Sequence, residues 1–324
     1  RQRIHAHARP LVCGVLLLTP PCFAAFGSDV RMKQTGLVVA SHGRHCVVET
    51  PDGERRICHP RGKKSQVVVG DRVQWLASTD EGTIEKVEPR HNLFYRQDEI
   101  RTKSFAANLD QVLILLAAEP EFSEMQLTRA LIAAEAEHIT PIIALNKRDL
   151  AEPFTRALAR LEPYVKMGYT VLQGAFKTGD LADLPERLKH KTTLVLGPSG
   201  TGKSTLINAL VPNANVATAE ISQALNSGKH TTTSTTWHWV DAERTTGLID
   251  SPGFQEFGVH HIDAMQLAAY MPDFKPHVAA CKFYNCTHLH EPSCGVQDAV
   301  AAGEISPSRY KLYGMLFAEL TQPT

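Results

Sequence analysis

The stretch Leu196-Gly197-Pro198-Ser199-Gly200-Thr201-Gly202-Lys203-Ser204-Thr205 decides the fold. An apolar run at 193–196 passes into G-x-x-x-x-G-K-S, and a helical pattern then runs over 204–210. Strand, glycine-rich loop and helix in that order are the context in which this spacing makes a phosphate loop. The glycines let the backbone curl so that the N–H groups of the loop between Gly197 and Thr205, Pro198 having none, face a β-phosphate. Lys203 brings a point charge toward the β- and γ-phosphates, and the Ser204 hydroxyl takes one Mg²⁺ position.

Upstream, Asn146-Lys147-Arg148-Asp149 follows a second buried-strand pattern at 141–145. Side chains at the end of a parallel strand point into the crevice where open α/β sheets bind ligands. A carboxylate there accepts two hydrogen bonds from N1–H and N2–H₂ of guanine. Adenine has no such donor pair, so a buried Asp149 would be left unpaired by it. Asn146 can bridge the base and a neighbouring loop, and the stem of Lys147 can pack on the ring. Downstream, Asp250-Ser251-Pro252-Gly253 ends a third strand pattern at 247–249. Asp250 can hold Mg²⁺ through water, and the Gly253 N–H can contact a γ-phosphate. Between them, Gly228-Lys229-His230-Thr231-Thr232-Thr233 offers Thr231 and Thr232 as further Mg²⁺ ligands. Together these patterns point to a guanosine triphosphate site; Asp149 opposes a P-loop ATPase or kinase.

Their order is unusual. N-K-x-D precedes the phosphate loop, the threonine segment and D-x-x-G, whereas GTPases ordinarily place it last. The sheet still closes if the old termini are joined and the chain is reopened after D-x-x-G, because exposed loops tolerate permutation. The segment after Gly253 then runs directly into whatever follows it.

Before this α/β region, five short alternating runs at 36–40, 44–49, 55–59, 73–77 and 83–87 are separated by turn signals such as Pro51-Asp52-Gly53. They predict a small all-β barrel. Beyond Asn108, buried-strand and helical patterns alternate at 112–117, 124–137, 141–145, 170–172, 181–189 and 193–196, which predicts a parallel sheet with helices on both faces. Past Gly258 the pattern is helical around a cysteine cluster and ends in a stripe, Tyr310, Tyr313, Phe317 and Leu320, that predicts core packing. Of seven cysteines, Cys281, Cys286 and Cys294 cluster around His288 and His290. Three thiolates and an imidazole suit structural zinc, with either histidine able to serve as fourth ligand. At the other end, Arg1, Arg3 and Arg9, an apolar run at 11–18 and Ala25-Phe26-Gly27 outline a secretory signal. Pro20-Pro21 interrupts that run and the first residue is not Met, so residues 1–33 are read as an unstructured or mis-started leader.

The motifs resemble the bacterial ribosome small-subunit-dependent GTPase A family (RsgA, also called YjeQ), from about Gly36 to Leu320. Arg61-Gly62-Lys63, Val69-Gly70-Asp71-Arg72-Val73 and Ala106-Ala107-Asn108-Leu109-Asp110-Gln111 also carry the resemblance. It implies an OB-fold barrel at 34–100, a circularly permuted GTPase domain at 101–258 and a helical zinc domain at 259–324. It further implies a cytoplasmic, monomeric GTPase, without a membrane partner, that acts late in small-subunit maturation. Such a protein hydrolyses GTP slowly to GDP and is stimulated by the subunit. The family pattern selects His288 as the fourth ligand to one zinc per chain. In the loop where the family reads Ser-Ala and bonds the guanine O6 through backbone N–H, this chain has Gly174-Ala175.

Phe254 stands where many GTPases carry a water-orienting glutamine, and it cannot hydrogen-bond water; slow intrinsic turnover follows. Lys203 and His230 are the candidate catalytic groups, His230 by positioning or accepting from the attacking water. Arg55, Arg56, Arg61, Lys63 and Lys64, with no acid among them, mark a candidate face for rRNA on the barrel. Net charge is zero, with 34 basic against 34 acidic residues. That average hides 17 Lys/Arg against 12 Asp/Glu in residues 1–110, a basic surplus at the N-terminal end of the chain. The competing reading is an RNA-binding zinc protein with a passive nucleotide site.

Overall fold

Each residue of β8 (Gln111–Ala117) is buried, because different helices cover its two faces. The computed structural model describes residues 33–42, 45–62, 66–79, 81–99, 101–211, 214, 235–253 and 256–322. The leader, Lys63, Lys64, His230, Thr231, Thr232 and Phe254 lie outside them. β8 pairs in parallel with β9 (Thr140–Asn146) and β11 (Thr192–Leu196). β10 (Thr170–Gln173) extends the sheet beyond β9, and β13 (Gly247–Asp250) beyond β11. Val112, Ile114 and Leu116 enter one core with Leu127 and Leu131 of α1 (Glu124–Ala136) and Leu161 of α2 (Ala151–Lys166). Leu113 and Leu115 enter the other with α3 (Leu184–Leu188) and with Leu206 and Leu210 of α4 (Lys203–Leu210). The two-faced burial expected of a continuous apolar strand is thus present.

The five N-terminal strands are β1 (Lys33–His42), β2 (His45–Glu49), β3 (Arg55–Pro60), β4 (Arg72–Ala77) and β5 (Gly82–Val87). They run in the order β1-β2-β3-β5-β4, and β4 pairs back onto β1. This is a closed OB-type barrel, filled by Val38, Val48, Val73, Trp75 and Ile84. The barrel and the α/β sheet share hydrogen bonds. β12 (Thr235–Trp239) lies antiparallel on β13 and also pairs with β1 through Ala40 and Ser41.

Two segments that carry the family resemblance form the joint between barrel and sheet. Gly70 has φ +90, and a Cβ there would lie 2.2 Å from Ala107 O, so only glycine fits. Its N–H donates to Val38 O at 2.9 Å, and its carbonyl accepts from Asn108 Nδ2 at 2.9 Å. The Asp71 carboxylate, fully buried, accepts the Val68 N–H at 2.8 Å and Arg90 Nε at 2.6 Å. Asn92 and Leu109 exchange two bonds of 2.8 Å. These motifs are structural; they fix the barrel against the sheet.

Three elements fall outside the sequence reading: α2, β12 and a hairpin of β6 (Leu93–Gln97) with β7 (Thr102–Ala107). The C-terminal region holds a 3₁₀ turn (Ala264–Tyr270), α5 (Lys275–Val278), α6 (Gly295–Ala301) and α7 (Pro307–Thr321). Arg309 of α7 is buried. Its guanidinium donates to Asp273 at 2.8 and 3.1 Å and to Thr128 of α1 at 2.8 Å, and lies over the Tyr164 ring. Arg129 of α1 donates to Glu319 of α7 at 2.7 Å. Among the described residues, no helix is long and apolar enough to cross a membrane.

β12 also predicts an acid limit to stability. His238 is buried, and its Nε2 has no partner among the described residues. Burial, aided by the Arg55 charge, pushes its pKa down to about 4. The unfolded chain therefore binds this proton from about pH 6.5 downward while the fold does not. Stability is lost as pH falls from 6.5 to 4 and is flat in this group below that, a loss of about 3 kcal/mol. Between pH 7 and pH 4 the wild type should lose about 3 kcal/mol more stability to urea unfolding than His238→Gln, the comparison that isolates this group from others titrating in the same range.

Candidate nucleotide site and metal centre

Between β11 and α4 the phosphate loop turns on Gly200 (φ +82) and Gly202 (φ +99). A Cβ on Gly202 would lie 2.4 Å from Asn146 Nδ2, so glycine is required by conformation and by space. Asn146, buried at the end of β9, donates from Nδ2 to Thr201 O at 2.9 Å. Its Oδ1 accepts the N–H of Lys147 at 2.7 Å and of Phe176 at 3.0 Å. One side chain thus ties the phosphate loop, the N-K-R-D turn and the loop at 174–176 together. The Gly174 N–H donates to Leu145 O and the Ala175 N–H to Asp180 O, both at 3.0 Å. Arg148 pairs with Asp180 at 2.7 Å, and its N–H donates to Gly174 O. Asp149 is exposed at the cavity, not buried; a base packed on it would supply the burial.

At the other end, Lys203 Nζ donates to Gly197 O at 2.7 Å and Pro198 O at 3.0 Å. Asp250 sits beside Val195 in the sheet register, and Ser251 Oγ donates to Val195 O at 2.6 Å. Burial pushes the Asp250 carboxyl up to about 6 against the opposing pull of Lys203 and the Ser251 N–H. Burial likewise lowers Lys203, whose charge Asp250 supports. A Cβ on Gly253 would lie 3.2 Å from Lys203 Nζ, so the D-x-x-G turn rests on the phosphate loop. Ser204 and Thr205 face the same cavity, with Lys147, Ser199, Gly200 and Pro252. Motifs in permuted order therefore converge on one crevice. Sequence reasoning missed Lys177, Glu256 and, from the β6–β7 hairpin, Arg96, Lys103 and Phe105, all of which also line it. The signal for the hairpin was faint: apolar residues alternate only briefly, and its turn has no glycine or asparagine.

Cys281, Cys286, His288 and Cys294 bring their donor atoms within 4.8 Å of one another. Cys281 Sγ lies 3.8 Å from Cys294 Sγ and 3.4 Å from His288 Nδ1, and Cys294 Sγ lies 3.5 Å from that nitrogen. A tetrahedron with bonds of about 2.3 Å to sulfur and about 2.0 Å to nitrogen has edges of about 3.8 and 3.5 Å. The donor set fits zinc. Burial pushes the Cys286 thiol up to about 12, so a cation is what would favour thiolate there. Tyr310 and Tyr313 of the predicted stripe donate to His288 O at 2.7 Å and Thr287 O at 2.8 Å, packing α7 onto the metal loop. His290 is not in the cluster.

The barrel arginines have partners that the sequence hid. Arg55 Nε is 2.7 Å from the buried carboxylate of Glu49, which also accepts from Trp239 Nε1 at 2.6 Å. Arg56 pairs with Glu54 at 2.7 Å, and Arg61 with Glu85 at 2.5 Å. Arg55 therefore braces the barrel–sheet joint, while Arg61 remains largely exposed.

A closed barrel, a P-loop sheet whose base motif comes first, and a C-terminal Cys₃His cluster define a circularly permuted GTPase fold. The same arrangement recurs in solved structures. The crystal structure of YjeQ from Thermotoga maritima superposes with TM-score 0.70 at 32% identity, covering 90% of this chain and all of that one. YloQ, described as a circularly permuted GTPase, gives 0.67 at 28%, covering 92% and 99%. The RsgA GTPase family model matches residues 87–260. The small ribosomal subunit biogenesis GTPase RsgA of Variovorax paradoxus (strain S110) is 70% identical over 91% of this chain and 95% of that protein. That of Paraburkholderia xenovorans (strain LB400) is 52% identical over 89% and 93%. The chain belongs to the RsgA GTPase family.

Proposed function

We propose that this chain binds GTP, hydrolyses it slowly to GDP and phosphate, and acts in late maturation of the small ribosomal subunit, which stimulates the turnover. The observation that carries this reading is the convergence of Asn146, Asp149, Lys203, Ser204 and Gly253 on one crevice, with the Asp250 charge acting on Lys203, in a family whose similar members are named for small-subunit biogenesis. Asp149 would select guanine. Lys203 and the loop N–H groups would hold the β- and γ-phosphates. Ser204 and Asp250, with Thr231 and Thr232, would hold Mg²⁺, which neutralises charge on the phosphates. Gly174 and Ala175 would border the base. Cys281, Cys286, His288 and Cys294 would hold one structural zinc, with no position left for catalysis. For rRNA the barrel would offer Arg56, Arg61, Lys63 and Lys64, with Arg55 kept to its buried partner. His230 is the proposed group for positioning water, in a chain where Phe254 cannot.

GTP turnover with and without purified small subunits tests this. Slow release of phosphate alone, raised by subunits and lost in Lys203→Ala, is expected. ATP displacing GTP equally well, or subunits leaving turnover unchanged, would overturn the reading.

A further inference from the structure

The β6–β7 hairpin and the chain beyond Gly253 form one body. Gln97 N–H donates to Gly258 O and His260 N–H to Gln97 O, both at 3.0 Å, and Gly258 N–H to Asp98 Oδ1 at 3.1 Å. Phe257 stacks on Phe105, 6.0 Å between centroids and 6° between planes, and lies 5.7 Å from Phe94. Arg96 Nη1 donates to Glu256 O. The hairpin is therefore strapped to the chain just past Gly253, and Gly253 itself rests on Lys203. The hairpin thus shares the cavity with Gly253 and Lys203, the residues read as facing the γ-phosphate.

Arg96 and Lys103 are register partners across the hairpin, so their side chains project from the same face, and both line the cavity. Arg96 Nε is buried without a hydrogen-bond partner among the described residues, while its Nη2 makes a long ion pair with Asp98 at 3.8 Å. Lys103 has no ion pair among the described residues; its ammonium lies 5.8 Å from the Phe105 centroid. Burial and the neighbouring Arg96 both lower the Lys103 pKa. Two adjacent cations, partly desolvated and facing a cavity, repel one another unless an anion lies between them.

We propose that Arg96 and Lys103 form a cationic clamp within the chain that holds the γ-phosphate oxygens of the bound triphosphate and so distinguishes GTP from GDP. Charge is spread over those oxygens in the transition state, where a guanidinium in cis is effective. The inference rests on the reading of the cavity as a guanine-nucleotide site. The shared chemistry is phosphate binding, and an RNA phosphate is the rival source.

Equilibrium titration of the full chain with fluorescent GDP and a fluorescent non-hydrolysable GTP analogue separates these cases. In Arg96→Gln and Lys103→Gln the Kd for the triphosphate should rise about tenfold or more, the weight of one charge-assisted contact. The Kd for GDP should be unchanged, which also reports that the variants fold, and Arg96→Lys should recover part of the loss. An unaltered ratio of triphosphate to diphosphate affinity overturns the clamp. So does a loss seen only with small subunits present, which would give the cations to RNA. Failure of the wild-type chain to bind either nucleotide would overturn the guanine reading, and the clamp with it.

Discussion

Asp149→Asn should weaken GTP binding by about a thousandfold and move the preference toward xanthosine triphosphate. The carboxylate offers acceptors to both N1–H and N2–H₂ of guanine. An amide at the same place keeps one acceptor and turns a donor toward the exocyclic amine, so one bond is lost and two donors face each other. Each charged hydrogen bond removed is worth about 1.5–3 kcal/mol, and a site built around such bonds discriminates by several orders of magnitude. Xanthine carries a carbonyl in place of the amine, which the asparagine donor can meet. The fold should not respond, because Asp149 is exposed and the neighbouring loops are tied by Asn146 instead. Competition titration with GTP, ATP and xanthosine triphosphate, beside a melting curve, measures both halves. Unchanged GTP affinity would remove Asp149 from base recognition.

The parts of the molecule legible in sequence were those where a short segment carries its own constraint. Gly200, Gly202 and Lys203 declare a phosphate loop because the loop needs those residues in that spacing whatever surrounds it. Strand β8 declares itself because burial on both faces leaves 112–117 without a polar position. The β6–β7 hairpin does not, since one of its faces looks into a polar cavity and places Arg96 and Lys103 where a half-buried strand would show apolar residues. The ion-pair partners of the barrel arginines were hidden for a related reason. Glu49 and Glu85 lie outside the run 55–64 and meet Arg55 and Arg61 only across the strands. Spacing also left His288 and His290 equivalent. The fold separates them by setting His288 at φ +66 and anchoring its carbonyl to Tyr310, with Nδ1 turned to the thiols.

Removal of the metal should undo the region 275–301 while leaving the nucleotide domain folded. α5 has four residues, none buried, and α6 has seven; isolated helices of that length do not persist in water. Between them runs a loop that holds all four ligands, Cys281, Cys286, His288 and Cys294. Structural zinc sites of this kind contribute about 10 kcal/mol or more, far above what those short helices bury. Beyond the loop the anchorage is different: Arg309 joins α7 to Asp273 and Thr128, and Arg129 joins α1 to Glu319. These contacts do not pass through the metal, so α7 should stay docked on α1. Hydrogen exchange followed by mass spectrometry, with and without a strong chelator, should show protection lost over 275–301 and retained in α1, β8 and β11. Elemental analysis should give one zinc per chain, and Cys294→Ser should reproduce the chelator's pattern without it. If the untreated chain holds no zinc yet protects 275–301, or if chelation changes nothing there, the thiols and His288 are core packing and the metal reading fails.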